Sequence, residues 1–184
     1  MRAALEVFLE RGYVGTSLSE VARRARVGTP AIYRRWPTKA ALAIDVVVQE
    51  QKEEPIPDTD SIRDDLVEFM RLRIQIFRTP LFQQVMAPVL LEAAAEPRLK
   101  ETIGDRFVDY RKPLVARLRN AIDSGELRAE TEPGRLLDLL MGTVSMPLLF
   151  AQPLPQESDS ESIVDQVLAG FAAGPVPALR SMPD

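Results

Sequence analysis

TSLSEVARRARVGTPAIYRRWPTK, residues 16–39, is the stretch on which the reading of the whole chain turns. Leu18, Val21, Ala22 and Ala25 fall at i, i+3, i+4 and i+7, the spacing of one apolar helix face. Ser17 and Glu20 stand as a Ser-x-x-Glu capping box at the start of that helix. Arg26-Val27-Gly28 reads as a turn, with Gly28 free to take a positive φ. Thr29 is a good N-cap for a second helix, and Pro30 suits its first position, where a missing N–H costs nothing. Pro37 disfavours helical backbone at Trp36 and so closes that helix. Helix, tight turn and a short second helix with exposed polar and aromatic groups make the helix-turn-helix pattern.

Outward from this motif the chain reads as helix throughout. Residues 2–11 form a first helix with Leu5, Phe8 and Leu9 turned inward and Gly12 just past its end. The motif helices occupy 17–25 and 29–36. Thr38 caps a fourth helix, too apolar for a surface linker, that runs to residue 53. EEPIPDTD, 53–60, is a Pro- and acid-rich boundary, and we divide the chain into 1–48 and 49–184. Helical stretches follow at 61–78, at 80–96 with a kink expected at Pro88, and at 97–124 with a bend expected at Pro113. Then come 131–151, apolar nearly all round, and a last helix opened by a Ser158/Glu161 capping box and running to 173. Val21, Val27, Ile32 and Trp36 are expected in the core of the small N-terminal unit. The expected fold is all-α, with about nine helices.

Composition removes several function classes. Apolar residues make up 46% of the 184 and charged residues 27%, as in an ordinary globular chain. There is no Cys and no His, so disulfide frameworks, thiolate or imidazole metal sites and Ser-His-Asp triads are excluded. No Gly-rich phosphate loop is present. A helical-bundle enzyme is left with carboxylates alone, in no spaced constellation. No cofactor or metal is implied, the N-terminus is no signal peptide, and no apolar tract is long enough for a membrane span. A cytoplasmic location is the expectation. Charge is unevenly placed: residues 1–40 carry eight Lys/Arg against three Glu, a net +5, and residues 41–184 carry 15 against 24 acidic residues, a net −9. A basic head on an acidic body is the footprint of a chain whose head alone meets phosphate.

Gly12-Tyr13, Thr16-Ser17, Glu20-Val21-Ala22, Val27, Ala31-Ile32-Tyr33, Trp36-Pro37 and Lys39-Ala40-Ala41-Leu42 resemble, at fixed spacing over residues 2–48, the N-terminal signature of the tetracycline-repressor (TetR/AcrR) family of one-component bacterial transcription regulators. The resemblance implies a double-stranded DNA operator, a homodimer and a small-molecule effector as partners. Thr29, Pro30 and the free N–H groups at the start of the second motif helix suit a phosphate. Arg34 or Arg35 suits guanine O6/N7 and Ala31 a thymine methyl. By resemblance, Tyr33 and Lys39 meet the DNA backbone, and Thr16 and Ser17 face the other strand. Arg23, Arg24 and Arg26 read either as further phosphate contacts or as a solvated face.

The stripe Met70, Ile74, Phe77, Phe82, Met86, Phe107 and Tyr110 is either core or the lining of an effector cavity. A helix apolar all round must be buried. Leu136, Leu140, Val144 and Leu148, with Ile163, Val167 and Phe171, are therefore core or, as the family's dimerisation through its last two long helices implies, a dimer face. The resulting expectation is a repressor released from a palindromic operator by its effector. The rivals are an effector-independent DNA binder or activator of the same fold and, more remotely, the helical-bundle enzyme.

Overall fold

The computed structural model of the chain describes residues 1–50 and 59–171, without the side chains at 102 and 105–110. Most of the expected 53–60 loop, the tail beyond 171, and the side chains of Phe107 and Tyr110 thus lie outside the described residues. The described residues form nine α-helices: α1 (Arg2–Arg11), α2 (Leu18–Ala25), α3 (Thr29–Arg35), α4 (Lys39–Glu50), α5 (Ile62–Arg78), α6 (Ala87–Ala95), α7 (Pro97–Asp123), α8 (Pro133–Leu149) and α9 (Ser160–Leu168). A π-helical turn, Phe82–Met86, leads into α6, and a 3-10 turn, Glu157–Asp159, leads into α9. The all-α expectation holds.

Helices α1–α3 make a three-helix head. Ser17 caps α2 by accepting the Glu20 N–H at 3.2 Å, as its capping box predicts. The turn that follows differs from expectation. Arg26, not Gly28, takes the left-handed conformation, at φ 56° and ψ 41°. Gly28 is extended and serves as N-cap of α3. Val27, expected in the core, is 46% exposed, and Leu9 of α1 is 47% exposed. The head is too small to bury every apolar residue it carries. Its interior is Val7, Phe8, Leu18, Val21, Ala22, Ile32 and Trp36. Trp36 ends α3 in extended backbone, as Pro37 demands, and its indole N–H donates to Asp45 of α4 at 2.9 Å.

One apolar core continues from the head through α4 into the body formed by α5–α9. Leu42, Ile44, Val46 and Val47 of α4 are buried, and so are Leu66, Met70 and Ile74 of α5, Leu114 and Leu118 of α7, and Leu136, Leu140 and Val144 of α8. The expected irregularity at Pro88 takes a specific form. Proline has no N–H to donate four residues back to the carbonyl of Gln84. The helix widens just upstream, where the Ala87 N–H reaches the Phe82 carbonyl five residues back. The last helix also differs from expectation. Gln156 and Asp159 form the reciprocal capping box in place of Ser158 and Glu161, because a 3-10 turn precedes α9.

A buried ion pair fixes the start of the body. Asp65 is fully buried. It accepts the Arg117 Nε–H at 2.7 Å and the N–H and hydroxyl of Thr59, each at 2.8 Å. Arg117 also donates to the Thr59 carbonyl at 2.9 Å. Every oxygen of the carboxylate therefore has a donor. Removing one partner of such a pair costs about 3–5 kcal/mol, because the other charge stays buried. Arg117→Met should lower stability by that amount in urea unfolding. A loss under about 1 kcal/mol would mean the pair is dispensable.

Candidate nucleic-acid interface

The basic residues of the head divide into two groups. Glu20, on α2 and largely covered, receives Arg23 at 2.7 Å, Arg11 at 3.4 Å and Arg24 at 3.9 Å. Arg24 also clamps Glu10 of α1 through both guanidinium nitrogens. Arg2 pairs with Glu6 at 3.5 Å. Each glutamate of the head is thus matched to arginines, and the pairs of Arg11 with Glu20 and of Arg24 with Glu10 hold α2 on α1. The Arg23 guanidinium holds the Glu20 carboxyl below the ordinary glutamate range, and Arg24 does the same for Glu10.

The second group faces outward around α3. Arg34 and Arg26 are exposed and have no ion-pair partner among the described residues. Arg35 lies over the Trp36 ring at 4.6 Å, and the Lys39 ammonium lies over the Tyr13 ring at 4.3 Å. Tyr33 is 49% exposed, and Pro30 and Ala31 are exposed beside it, with Thr29 half-buried. A helix of seven residues, cationic and aromatic on its open side, narrow enough for a major groove and set on a three-helix support, suits duplex DNA.

Of the nine DNA-contact candidates Thr29, Pro30, Ala31, Tyr33, Arg34 and Arg35 lie on α3, all exposed but the half-buried Thr29, and Lys39 is half-buried at the start of α4. Ser17 is exposed at the start of α2, its oxygen engaged in the cap. Thr16 is a correction. It is 4% exposed, and its hydroxyl donates to the Gly12 carbonyl at 2.7 Å, closing the turn after α1. Its side chain is not available to a DNA strand.

The dimer candidates also need correcting. Leu136, Leu140 and Val144 point into the chain's own core with no exposed surface. Leu148, Ile163, Val167 and Phe171 are partly buried against that core. The apolar stripe that α8 leaves open is instead Leu139, Met146 and Leu149, with Phe150 just past its end. The Arg111–Asp138 ion pair, 2.8 Å, lies near the start of this stripe. An all-apolar helix does not show which of its faces meets its own core.

Met70, Ile74 and Phe77 are core, with Phe77 stacked on Phe82 at 4.2 Å between centroids. Met86 packs against the same core. An apolar cleft of about 330 Å3 opens where α1, α4 and the end of α5 meet. It is lined by Leu5, Leu9, Val47, Glu50, Ile76 and Leu81 among others, and of the seven effector candidates it takes in Phe82.

Fold and interface together define a helix-turn-helix DNA-binding protein. Comparison with known proteins narrows this. Residues 1–46 match the bacterial regulatory proteins of the tetR family, and residues 56–167 match the tetracyclin repressor-like C-terminal domain. The HTH-type transcriptional regulator Rv1556 of Mycobacterium tuberculosis is 30% identical over 171 residues, 91% of this chain and 83% of that one. The TetR-family regulator SCO0332 superposes with a TM-score of 0.74 at 27% identity, covering 91% of this chain and 93% of that one. FadR of Bacillus subtilis, solved with stearoyl-CoA, shares the fold at a TM-score of 0.67 and 19% identity, over 92% and 96% of the two chains. The chain belongs to the TetR family and is a DNA-binding transcriptional regulator. Its relatives are regulators rather than enzymes, and no described helix is long and apolar enough to cross a membrane.

The glutamate clamps give the head a pH dependence. A carboxyl whose pKa is lowered on folding adds stability that is complete above its unfolded value. That stability is lost as pH falls through the folded value, here below the ordinary 4.5. Wild type should lose more stability than Glu20→Gln on acidification through this range, read from urea midpoints. Equal losses would show that the clamp contributes nothing.

Proposed function

We propose that the chain is a homodimeric repressor that grips a two-fold operator through α3 and its flanks and is released by a small molecule. The observation that carries the reading is the division of charge in the head. Its acidic residues are matched to Arg2, Arg11, Arg23 and Arg24, which leaves the outward cations on and around α3. On this reading Arg34 and Tyr33 are the principal contacts, with Arg35, Lys39, Ser17 and the α3 start, Thr29–Ala31, on the backbone or bases. Half or more of such contacts go to phosphate and sugar.

Reading a two-fold operator calls for a dimer. Two recognition helices must sit roughly 34–36 Å apart to read successive major grooves. The open stripe of α8 supports a second copy as its cover, since exposed apolar residues in one contiguous row favour association. For release, the apolar cleft between α1, α4 and α5 falls within the size range of small-molecule sites. FadR's complex with stearoyl-CoA is a precedent on the same fold. An effector acts only if it binds the DNA-free arrangement more tightly than the DNA-bound one.

Two experiments test this. Selection from random-sequence duplexes should recover a two-fold sequence, bound with strong salt dependence. Arg34→Ala should weaken binding to it by about 1–3 kcal/mol per half-site and relax the preference at one base position in each. Recovery of no common sequence would overturn operator recognition. Met146→Arg should give monomers in light scattering with the fold intact, whereas Leu140→Arg should unfold the chain. A Met146→Arg dimer would refute the α8 face.

A further inference from the structure

We propose that Tyr13 is a positioning residue that couples DNA affinity to the body of the protein, by holding Lys39 on its ring while its hydroxyl is fastened to Glu92 of α6. This rests on the reading that Lys39 meets a phosphate.

The joint is built from three contacts on one residue. Gly12, at φ 64°, turns the chain sharply after α1 and sends Tyr13 toward the body. The Tyr13 N–H donates to the Gln84 carbonyl at 3.0 Å. That carbonyl belongs to the π turn, and it is the one to which Pro88 has no hydrogen to give. The Tyr13 hydroxyl donates to the Glu92 carboxylate at 2.7 Å. The Lys39 ammonium, at the start of α4, lies 4.3 Å from the ring centroid and 3.5 Å from the Val14 carbonyl. Tyr13 is 4% exposed and stacks on Phe8 of α1, so the ring has little room to move. Burial and the neighbouring carboxylate push the phenol well above its usual range, which keeps it a donor wherever the protein is folded.

These contacts form one chain from α6 to the DNA-facing surface. An ammonium has three donors on a flexible four-carbon stem, and much of its binding cost is the freedom that stem gives up. A ring fixed beneath it restricts the ammonium before DNA arrives. A hydrogen bond from the phenol to a carboxylate also puts electron density on the ring, which strengthens its hold on a cation. Moving α6 away from α1 would release the hydroxyl first, then loosen the ring and with it Lys39. A displacement in the body thereby reaches a phosphate contact through a single side chain.

The test is a double-mutant cycle on the duplex recovered by selection. Glu92 is exposed, so Glu92→Ala keeps the fold, which thermal melting will verify. Glu92→Ala should weaken binding about three- to fivefold per half-site, the size of one cation–π contact. The slope of log affinity against log salt should stay unchanged, because Lys39 keeps its charge. Lys39→Met should weaken binding and reduce that slope by about 1.8, since the dimer loses one phosphate contact in each half-site. In the Lys39→Met background Glu92→Ala should have no further effect. Glu92→Gln, which retains an acceptor for the phenol but not the charge, should lose less than Glu92→Ala. Additive losses in the double variant, or a silent Glu92→Ala beside an active Lys39→Met, would overturn the coupling and leave the phosphate contact standing. A silent Lys39→Met would overturn both.

Discussion

Pro88 has no amide hydrogen to give to the carbonyl of Gln84, and the arrangement of head on body depends on how that carbonyl is answered. A regular α-helix through Phe82–Ala95 would pair every interior carbonyl with its own ladder and offer the head nothing. The proline interrupts the ladder and the helix widens into a π turn. The Gln84 carbonyl takes its hydrogen from Tyr13. The head needs this attachment. Helices α1–α3 are too few to bury a core of their own at the usual density of a stable domain. They share α4 with the body and add the Tyr13 joint, so that one apolar core serves both. A head joined in this way is not an independent reader of DNA, because its orientation follows from where α4 and the π turn lie.

The same economy governs its charges. A small basic unit repels itself unless some cations are paired. Here the pairing also holds the helices together. Arg24 ties α2 to Glu10 of α1, and Glu20 gathers arginines from both helices. What remains outward is grouped around α3. Arg35 and Lys39 lie on the rings of Trp36 and Tyr13, which restricts their movement. Arg34 and Tyr33 extend free. Arg26 occupies a left-handed position that glycine would take without strain, and the turn keeps an exposed cation there.

Local chemistry made most of the fold legible. The Ser17 cap, the stop at Trp36-Pro37 and the helical periods of α5, α7 and α8 are each fixed by near neighbours in sequence. The errors fall where a long-range choice decides the outcome. Thr16 reads as an exposed helix start, but its hydroxyl turns back to Gly12. Leu136, Leu140 and Val144, open between core and dimer face in the sequence, lie in the core, because an apolar helix with two apolar faces does not state which one meets its own core. The positive φ fell on Arg26 because the residue that ends α2 must bend there, whichever side chain it carries. The Tyr13–Glu92 bond spans 79 residues and has no local signature. Its one trace was Pro88, four residues after Gln84, read simply as a kink.

The joint at Tyr13 should hold the head to the body in solution, and amide hydrogen exchange at that one residue reports on it. Its neighbour Val14 is 84% exposed and supplies the reference within the same turn. If the Tyr13 N–H is held by the Gln84 carbonyl, it should exchange as slowly as the buried amides of α1, at Val7 and Phe8, while Val14 exchanges rapidly. A Tyr13 amide that exchanges as fast as Val14 would rule the joint out, since the head would then open from the body without disturbing the shared core.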